Sequence, residues 1–315
     1  MDDNLYRKLR KKAAAFYWRE RKVSYGKENA DKTFYVIRRH ASRAGLFSFY
    51  STNLGSILEA VSKGYIPVID MQNSINPLLE QQLVGKENAW DYYFKQPFGY
   101  NLNDISHSAK VVLGSIDPPQ KFPDYCMIKE MTDAGKLCEE LIMWREAAHK
   151  YMHLIPEIEK NVNDNYDVIS KGERMIGVLC RGTDYVKLKP HNHPIQPNTD
   201  DVIIRCEQEM KKFECSRIYL ATEDRTIWDK FTSHFGDKVC SYQKHHFVTT
   251  EGQNVNDIAN QAMNPKDRNR EYLISIGIIS KCNCFIGGAN GGTYGALLMS
   301  DGFENEYVYD LGLYD

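Results

Sequence analysis

Short apolar runs of strand length alternate along this chain with stretches that have the apolar spacing of helices. In the first half, this periodicity predicts strands over 33–37, 66–70 and 110–113 and helices over 47–61 and 133–151. Strands that alternate with helices are typical of parallel sheets, because two parallel neighbours need a crossover connection. The first half of the chain is therefore predicted to form a parallel α/β domain.

The same alternation starts again, more clearly, in the second half. A polar stretch over 159–174 has no strong apolar pattern and is predicted to be a boundary. The elements predicted beyond it are strands over 175–179, 217–221, 238–241 and 284–286, and helices over 199–210 (capped by Thr199), 225–235, 268–280 and 293–299. Because a domain holds about 150 residues, we expect two Rossmann-like domains, 1–165 and 166–315, that face a central cleft.

The balance of positive and negative charges indicates which macromolecules the protein does not bind. The 40 lysines and arginines are offset by 42 aspartates and glutamates, which argues against a protein that coats nucleic acid. The first residues are polar and basic rather than apolar, and the longest uncharged stretch, 282–300, is rich in glycine and asparagine. Neither resembles a signal peptide or a membrane span, so we expect a soluble, cytoplasmic protein.

Cysteine and histidine spacing gives no metal signature. Of the eight cysteines, only Cys282 and Cys284 lie close together, and they do not form a CxxC pair. The nine histidines contain no HExxH motif. We therefore expect the cysteines to be buried as small apolar residues, and we expect no metal and no cofactor.

Three segments that directly follow predicted strands carry unusual residues, and ligands of open α/β sheets bind beyond such strand ends. The first is Arg181 to Tyr185 (RGTDY), after the strand 175–179. Arg181 can bind a phosphate through two nitrogens, and Asp184 can hold that arginine or a sugar hydroxyl. The alternative is a surface Arg–Asp pair in a turn. The cost of placing charges beside a buried strand favours the ligand site.

The second segment is Ala221 to Asp224 (ATED), after the strand 217–221. Thr222, Glu223 and Asp224 are candidate donor-binding residues, because a carboxylate here can accept hydrogen bonds from ribose hydroxyls or a base amine. Alternatively, Thr222 or an acidic residue caps the helix that starts at 225. The two roles are compatible.

The third segment is Gly287 to Thr293 (GGANGGT), after the strand 284–286. Its four glycines let the backbone approach a ligand closely, and the amides that start the next helix can bind an anion. The segment is neither GxGxxG nor a Walker motif. A tight structural turn is the alternative. The residues expected to contact a ligand are Gly288, Asn290, Gly291, Gly292 and Thr293.

In type and order, these segments resemble the three motifs of the GDP-fucose-dependent fucosyltransferases, a superfamily that includes α1,2-, α1,6- and protein O-fucosyltransferases. Arg181 to Tyr185 is similar to the first motif (HxRRTD or HxRRGDY), residues 218–224 to the second and 279–296 to the third. In the first half, Gly45, Phe47 and Asn53 lie in a segment similar to the family's N-terminal glycine loop and helix.

The resemblance implies a GT-B-like fold with the acceptor on the N-terminal domain and the nucleotide sugar on the C-terminal one. It implies an inverting, metal-independent enzyme of polysaccharide biosynthesis that moves L-fucose from GDP-fucose to a hydroxyl of a glycan or glycoconjugate. Arg181 and Thr183 would contact the donor, and Asp184 would support that arginine. The arginine and the amides of the third segment would stabilise the leaving diphosphate.

The chain departs from the family pattern at two positions of the first motif. Leu179 replaces the usual histidine, and Gly182 replaces the second arginine. No carboxylate follows in 186–190, so the base that deprotonates the acceptor is predicted to be His191, its neighbour His193, or a carboxylate of the N-terminal domain. Two alternatives stay open: a transferase of the same fold with another nucleotide sugar, and an inactive nucleotide- or glycan-binding module.

Residues 7–21 mix seven lysines and arginines with Phe16, Tyr17 and Trp18. This composition favours either of two interpretations. The segment could rest on an anionic membrane surface at the inner face of the membrane. Alternatively, it forms a solvated helix whose aromatic side packs on the body of the protein.

Overall fold

The structure, a computed structural model, describes residues 18–42, 44–124, 139–182, 189, 191–242, 246–248 and 263–315. The chain divides into two compact units. The first comprises Met1–Ala44, Phe49–Phe122 and Tyr151–His153, and the second comprises Gly45–Ser48, Pro123–Lys150 and Leu154–Asp315. Each unit is built on its own sheet, and the predicted α/β class with parallel sheets is confirmed.

The first unit contains a four-stranded sheet in the order β1-β4-β2-β3. β2 is parallel to β3 and to β4, and β1 is antiparallel to β4. Phe34, Val68 and Val111 are buried at its core. The elements are β1 (Arg21–Val23), β2 (Phe34–Arg38), α1 (Leu46–Ser62), β3 (Ile66–Asp70), α2 (Leu102–Ile105) and β4 (Val111–Leu113), with short 3₁₀ turns at Gln81–Leu83 and Ala89–Tyr92.

The second unit contains five strands, all parallel, in the order β7-β6-β5-β8-β9. They are β5 (Met175–Leu179), β6 (Arg217–Ala221), β7 (Val239–Cys240), β8 (Cys284–Gly288) and β9 (Asn305–Tyr309). The chain runs outward from β5 through β6 to β7, and then adds β8 and β9 on the other side of β5. The strand order therefore reverses between β5 and β8, and this topological switch point is where open α/β sheets bind ligands.

Among the described residues from 139 onward, the structure contains six helices. They are α3 (Glu139–Tyr151), α4 (Pro156–Ser170), α5 (Thr199–Lys212), α6 (Arg225–Phe235), α7 (Pro265–Ile279) and α8 (Gly291–Met299), with a 3₁₀ turn at Gly236–Lys238. A cluster of buried apolar side chains, among them Ile176, Cys206 and Phe231, joins α5 and α6 to strands β5, β6 and β8. On α7, Ser275 is fully buried and its hydroxyl lies 2.9 Å from that of Tyr219 in β6.

The predicted strands 66–70, 175–179 and 217–221 and the helix 225–235 have the predicted bounds. Helix α4 occupies most of the stretch 159–174, for which the sequence predicted a boundary and no helix. Only Ile158, Val162 and Ser170 of α4 are buried, and so narrow an apolar stripe is hard to recognise in the sequence. The domain limits 1–165 and 166–315 stay a prediction.

Two helix starts also differ from the prediction. Asn198, not Thr199, caps α5, because its side chain accepts a hydrogen bond from the Asp200 amide. The helix predicted from 268 begins at Pro265, since Asn264 caps it and proline suits the first helical position. Strands β1 and β9 were not predicted at all.

Cys180, Cys206, Cys215, Cys282 and Cys284 are buried and unbridged, as expected. Cys126 and Cys138 lie outside the described residues. None of the helices in the described ranges is both long and apolar enough to cross a membrane. The basic segment 7–21 lies outside the described residues up to position 17.

Candidate functional site

The three predicted segments begin at the carboxyl ends of three adjacent parallel strands. Leu179, the last residue of β5, pairs with Ala221 of β6 on one side and with Gly287 of β8 on the other. Arg181, the β6 exit (Thr222 to Asp224) and the glycine loop (Gly287 to Thr293) therefore lie along one edge of one sheet. This edge includes the topological switch point, so it is the candidate site.

Arg181 stands at the centre of this edge. The amide of Cys180 donates a hydrogen bond to the Ala221 carbonyl at 3.2 Å, which extends the β5–β6 ladder one residue beyond the strand. Cys180 is buried and Arg181, next along the chain, is half-buried. The backbone directly before Arg181 is therefore fixed to the sheet by this hydrogen bond. Thr183 and Asp184 lie outside the described residues.

The residue after Arg181 is in close contact with the β6 exit. A Cβ atom placed on Gly182 would overlap the side chain of Asp224. Any side chain at this position would therefore displace the Asp224 carboxyl group. An arginine at position 182, as in the motif that this segment resembles, would not fit without such a displacement.

The side chains of Thr222 and Asp224 at the β6 exit form hydrogen bonds within the protein. Asp224 caps α6, because its Oδ1 accepts hydrogen bonds from the amides of Thr226 at 2.7 Å and Ile227 at 3.3 Å. The Thr222 hydroxyl accepts a hydrogen bond from the Asp224 amide at 3.2 Å. Both side chains are 2% exposed. The capping alternative is therefore present, with Asp224 rather than Thr222 as the cap.

Glu223 differs from its two neighbours. It is half-buried, and no hydrogen bond or ion pair joins its carboxylate to another residue in the described ranges. Its backbone carbonyl accepts a hydrogen bond from the Phe247 amide at 2.7 Å. Of the three candidates at the β6 exit, Glu223 is the one whose side chain has its acceptor atoms available.

The side chains of the glycine loop form a tight turn. Asn290 caps α8, because its Oδ1 accepts a hydrogen bond from the Thr293 amide at 3.2 Å. Its Nδ2 donates to the Gly288 carbonyl at 3.1 Å, and the Thr293 hydroxyl donates to the same carbonyl. Both residues are at most 1% exposed. Their side chains therefore hold the loop together instead of presenting polar atoms to a ligand.

Close packing explains why several positions of the glycine loop and of α8 hold glycine and no larger residue. A Cβ atom on Gly288 would overlap Gln196, one on Gly292 would overlap the Tyr272 hydroxyl, and one on Gly295 would overlap the Phe47 ring. The amides of Gly291 and Gly292 open α8 and have no acceptor within the helix. They and the positive end of the helix dipole remain as the loop's anion-binding groups.

No family model and no curated protein matches the sequence. Solved structures do match. The selenomethionine form of the fucosyltransferase NodZ from Bradyrhizobium superposes with a TM-score of 0.51 and 16% identity, over 90% of this chain and 97% of that one. This chain has the fold of the GDP-fucose fucosyltransferases. The likeness that the motifs predicted is thus confirmed at the level of the fold.

Two further fucosyltransferase-fold structures match with lower scores. One is Arabidopsis thaliana FUT1, as a variant in complex with GDP, with a TM-score of 0.48 and 11% identity over 88% of this chain and 70% of that one. The other is POFUT1 in complex with GDP, with a TM-score of 0.46 and 10% identity over 89% of this chain and 99% of that one.

In this fucosyltransferase fold, Gln196, which follows β5, is hydrogen-bonded to the glycine loop. Gln196 is buried, and its Nε2 donates to the Ala289 carbonyl at 2.9 Å. The segment that contains Gln196 also carries His191 and His193, which are exposed. The backbone beside them pairs with the end of the chain, because the Asn192 amide donates to the Tyr314 carbonyl at 3.0 Å. His191 thus belongs to an exposed turn whose following residues are hydrogen-bonded to the end of the chain and to the glycine loop.

The three first-half candidates occupy different environments. Gly45 is exposed, with open space where a Cβ would lie. Phe47 is 2% exposed and packs edge-to-face on Tyr272 at 5.4 Å between ring centroids, so its ring is a core side chain. Asn53 is 2% exposed, and its Nδ2 has no hydrogen-bond partner among the described residues.

His246 was not among the residues predicted from the sequence. It lies beside the β6 exit, with Nδ1 3.0 Å from the Thr222 carbonyl, and its ring stacks on Trp228 at 4.6 Å. The paired histidines 245 and 246 were the only sequence signal. Within the described ranges, no three His, Cys, Asp or Glu side chains cluster as a metal site would require, and independence from metal stays a prediction.

Proposed function

We propose that this chain is an inverting glycosyltransferase that moves L-fucose from GDP-fucose to a hydroxyl group of a glycan acceptor. One observation carries the proposal. Arg181 and the free amides that open α8 follow adjacent strands on the two sides of the topological switch point. A guanidinium and a helix N-terminus together form a site for a diphosphate.

The reaction follows from these groups. The acceptor oxygen attacks the anomeric carbon from the face opposite the nucleotide, the bond from that carbon to the diphosphate oxygen breaks, and the configuration inverts. The diphosphate leaves with the electron pair, so negative charge develops on it. Arg181, Gly291 and Gly292 can donate hydrogen bonds to that charge, and donors already in place stabilise the transition state without reorganisation. We propose that they make a metal ion unnecessary.

The nucleoside would lie toward the β6 exit, where Glu223 has a free carboxylate. Such a carboxylate can accept hydrogen bonds from ribose hydroxyls or from the N–H groups of guanine. The fucosyltransferase fold and the family order of the three motifs support GDP-fucose as the donor. Asp184, next to the donor arginine in sequence, would position it.

The proton of the acceptor hydroxyl needs a base. His191 is our candidate, because its turn follows β5 and is tied to the glycine loop through Gln196. A carboxylate of the first unit is the other candidate. We further propose that the enzyme works in the cytoplasm on a glycan or glycoconjugate, with residues 7–21 resting on the inner face of the membrane.

Thermal-shift measurements with GDP, UDP, CMP and ADP, each with and without its sugar, test the donor. GDP and GDP-fucose should raise the melting temperature and the others should not. Stabilisation by UDP instead would indicate a transferase with another nucleotide sugar. Binding of GDP without transfer to any glycan acceptor would indicate an inactive binding module. Equal shifts with all four nucleotides would contradict the proposal.

A further inference from the structure

The β6 exit has fewer available polar groups than its sequence suggests. Thr222 and Asp224 are committed to the turn and to the cap of α6. Glu223 alone offers acceptor atoms from this segment. Guanine presents three N–H hydrogens on one edge, one on N1 and two on the 2-amino group. One carboxylate, with two oxygens, can pair with N1–H and one amino hydrogen, which leaves the other amino hydrogen without a partner.

A second segment lies against the β6 exit. The Phe247 amide donates to the Glu223 carbonyl at 2.7 Å, and the Arg225 amide donates to the Phe247 carbonyl at 3.0 Å. These two bonds form a parallel bridge between Asp224 and Phe247. The bridge holds His246 next to the β6 exit, at the same edge of the sheet as Arg181.

Two contacts orient the His246 ring. Its Nδ1 lies 3.0 Å from the Thr222 carbonyl oxygen. Its plane stacks on the indole of Trp228, with 4.6 Å between centroids and 15° between planes. Because a carbonyl oxygen can only accept, Nδ1 must carry the hydrogen of that bond. In the neutral ring, Nε2 then has a lone pair.

That lone pair has no protein partner in the described ranges, since the only hydrogen bond of the His246 side chain there is the one to Thr222. The ring also favours the neutral form. Burial, and to a lesser degree Arg225, lowers the pKa of His246, while the Thr222 bond, Glu271 of α7 and Asp229 of α6 act in the opposite direction. A neutral, oriented imidazole acceptor therefore stands against the backbone of the β6 exit, in the segment whose Phe247 amide bonds to the Glu223 carbonyl.

We propose that His246 is a specificity-determining residue for the nucleobase: its Nε2 accepts a hydrogen bond from the 2-amino group of guanine, beside Glu223. The inference rests on the proposed function and adds to it the residue that distinguishes guanine from bases without that amine. Trp228 and Thr222 act through His246, as positioning residues that hold its ring.

The test compares GDP with inosine diphosphate, which lacks only the 2-amino group, by calorimetric titration at pH 7.5. A neutral hydrogen bond contributes about three- to tenfold in affinity. The protein should bind GDP tighter by at least that factor, because the 2-amino group also bonds to Glu223. His246→Asn keeps an N–H near the Thr222 carbonyl but has no acceptor where Nε2 lies. This variant should lower the ratio of GDP affinity to inosine diphosphate affinity about three- to tenfold. The preference that remains is that of the Glu223 carboxylate for the other amino hydrogen.

His234→Asn is the matched control. His234 is an exposed histidine of α6 whose Nε2 lies 2.8 Å from Glu207. It should keep the full preference for GDP. The comparison is a ratio of two ligands on one protein, so a partial loss of folded protein in either variant does not affect it.

Equal binding of the two nucleotides at pH 7.5 would overturn this inference alone. A preference for GDP that is undiminished in His246→Asn would overturn it as well. Failure of both nucleotides to bind would contradict the proposed function together with the inference.

Discussion

Gly182 lies so close to Asp224 that a single Cβ atom at position 182 would overlap the aspartate side chain. The contact joins the segment after β5 to the segment after β6. Asp224 is in turn fixed by the two amides of α6 that it caps. Glycine at position 182 therefore allows Asp224 to lie against the segment after β5 and to cap α6. A second arginine after Arg181 would disturb both contacts.

Gly182→Ala should destabilise the protein by about 1–3 kcal/mol, the usual cost of adding a methyl group to a packed site. The added atom must displace Asp224, which also weakens the cap of α6. Gly45→Ala is the control, because nothing lies within 4 Å of a Cβ at that position. Urea unfolding of both variants checks this. Equal stability of the two would show that the Asp224 loop moves aside without cost.

Asn290→Ala should lower the free energy of unfolding by about 1–3 kcal/mol, because it leaves buried partners of the asparagine side chain unsatisfied. Asn264→Ala is a suitable comparison, since Asn264 caps α7 in the same way but is exposed. Loss of an exposed cap costs about 1 kcal/mol. If the two variants lose the same stability, the Asn290 side chain acts only as a helix cap.

The stability of the protein should depend on His246 in mildly acidic solution. Burial lowers the pKa of His246 below its ordinary value of 6.5, so the folded protein binds this proton less tightly than the unfolded chain. The stabilisation that results is complete above pH 6.5 and is lost as the pH falls toward the folded-state pKa.

Unfolding of the wild type and of His246→Asn at pH 7.5 and pH 5.0 measures this effect. The wild type should lose more stability between the two pH values than the variant does. Equal losses in both proteins would contradict a lowered pKa. His234→Asn again serves as the control for an exposed histidine.

The sequence located the candidate site because parallel strands carry their exits to one edge. Once β5, β6 and β8 were recognised, Arg181, Glu223 and the glycine loop could be placed at that edge. The sequence could not show which polar side chains turn inward. Asp224 and Asn290 resemble ligand contacts in a motif, yet both cap helices, and this depends on where the backbone directs each side chain.

His246 was missed for a related reason. It lies far along the chain from the β6 exit and reaches it only through a backbone bridge of two hydrogen bonds. Helix α4 was missed because few of its residues are buried, and β9 because its burial pattern does not alternate. Each of these depends on tertiary contacts that periodicity does not report.

The most direct test of the central claim is the rate of fucose transfer from GDP-fucose by Arg181→Ala, measured beside its melting temperature without ligand. Removal of one donor already in place for the leaving group costs about 10²–10³ in rate. Arg181→Lys should also be slow, because an ammonium cannot bind two phosphate oxygens as a guanidinium does. The expected result is this loss of transfer rate with an unchanged melting temperature. Near-normal transfer by the alanine variant would contradict it, and a collapsed melting temperature would make Arg181 a structural residue.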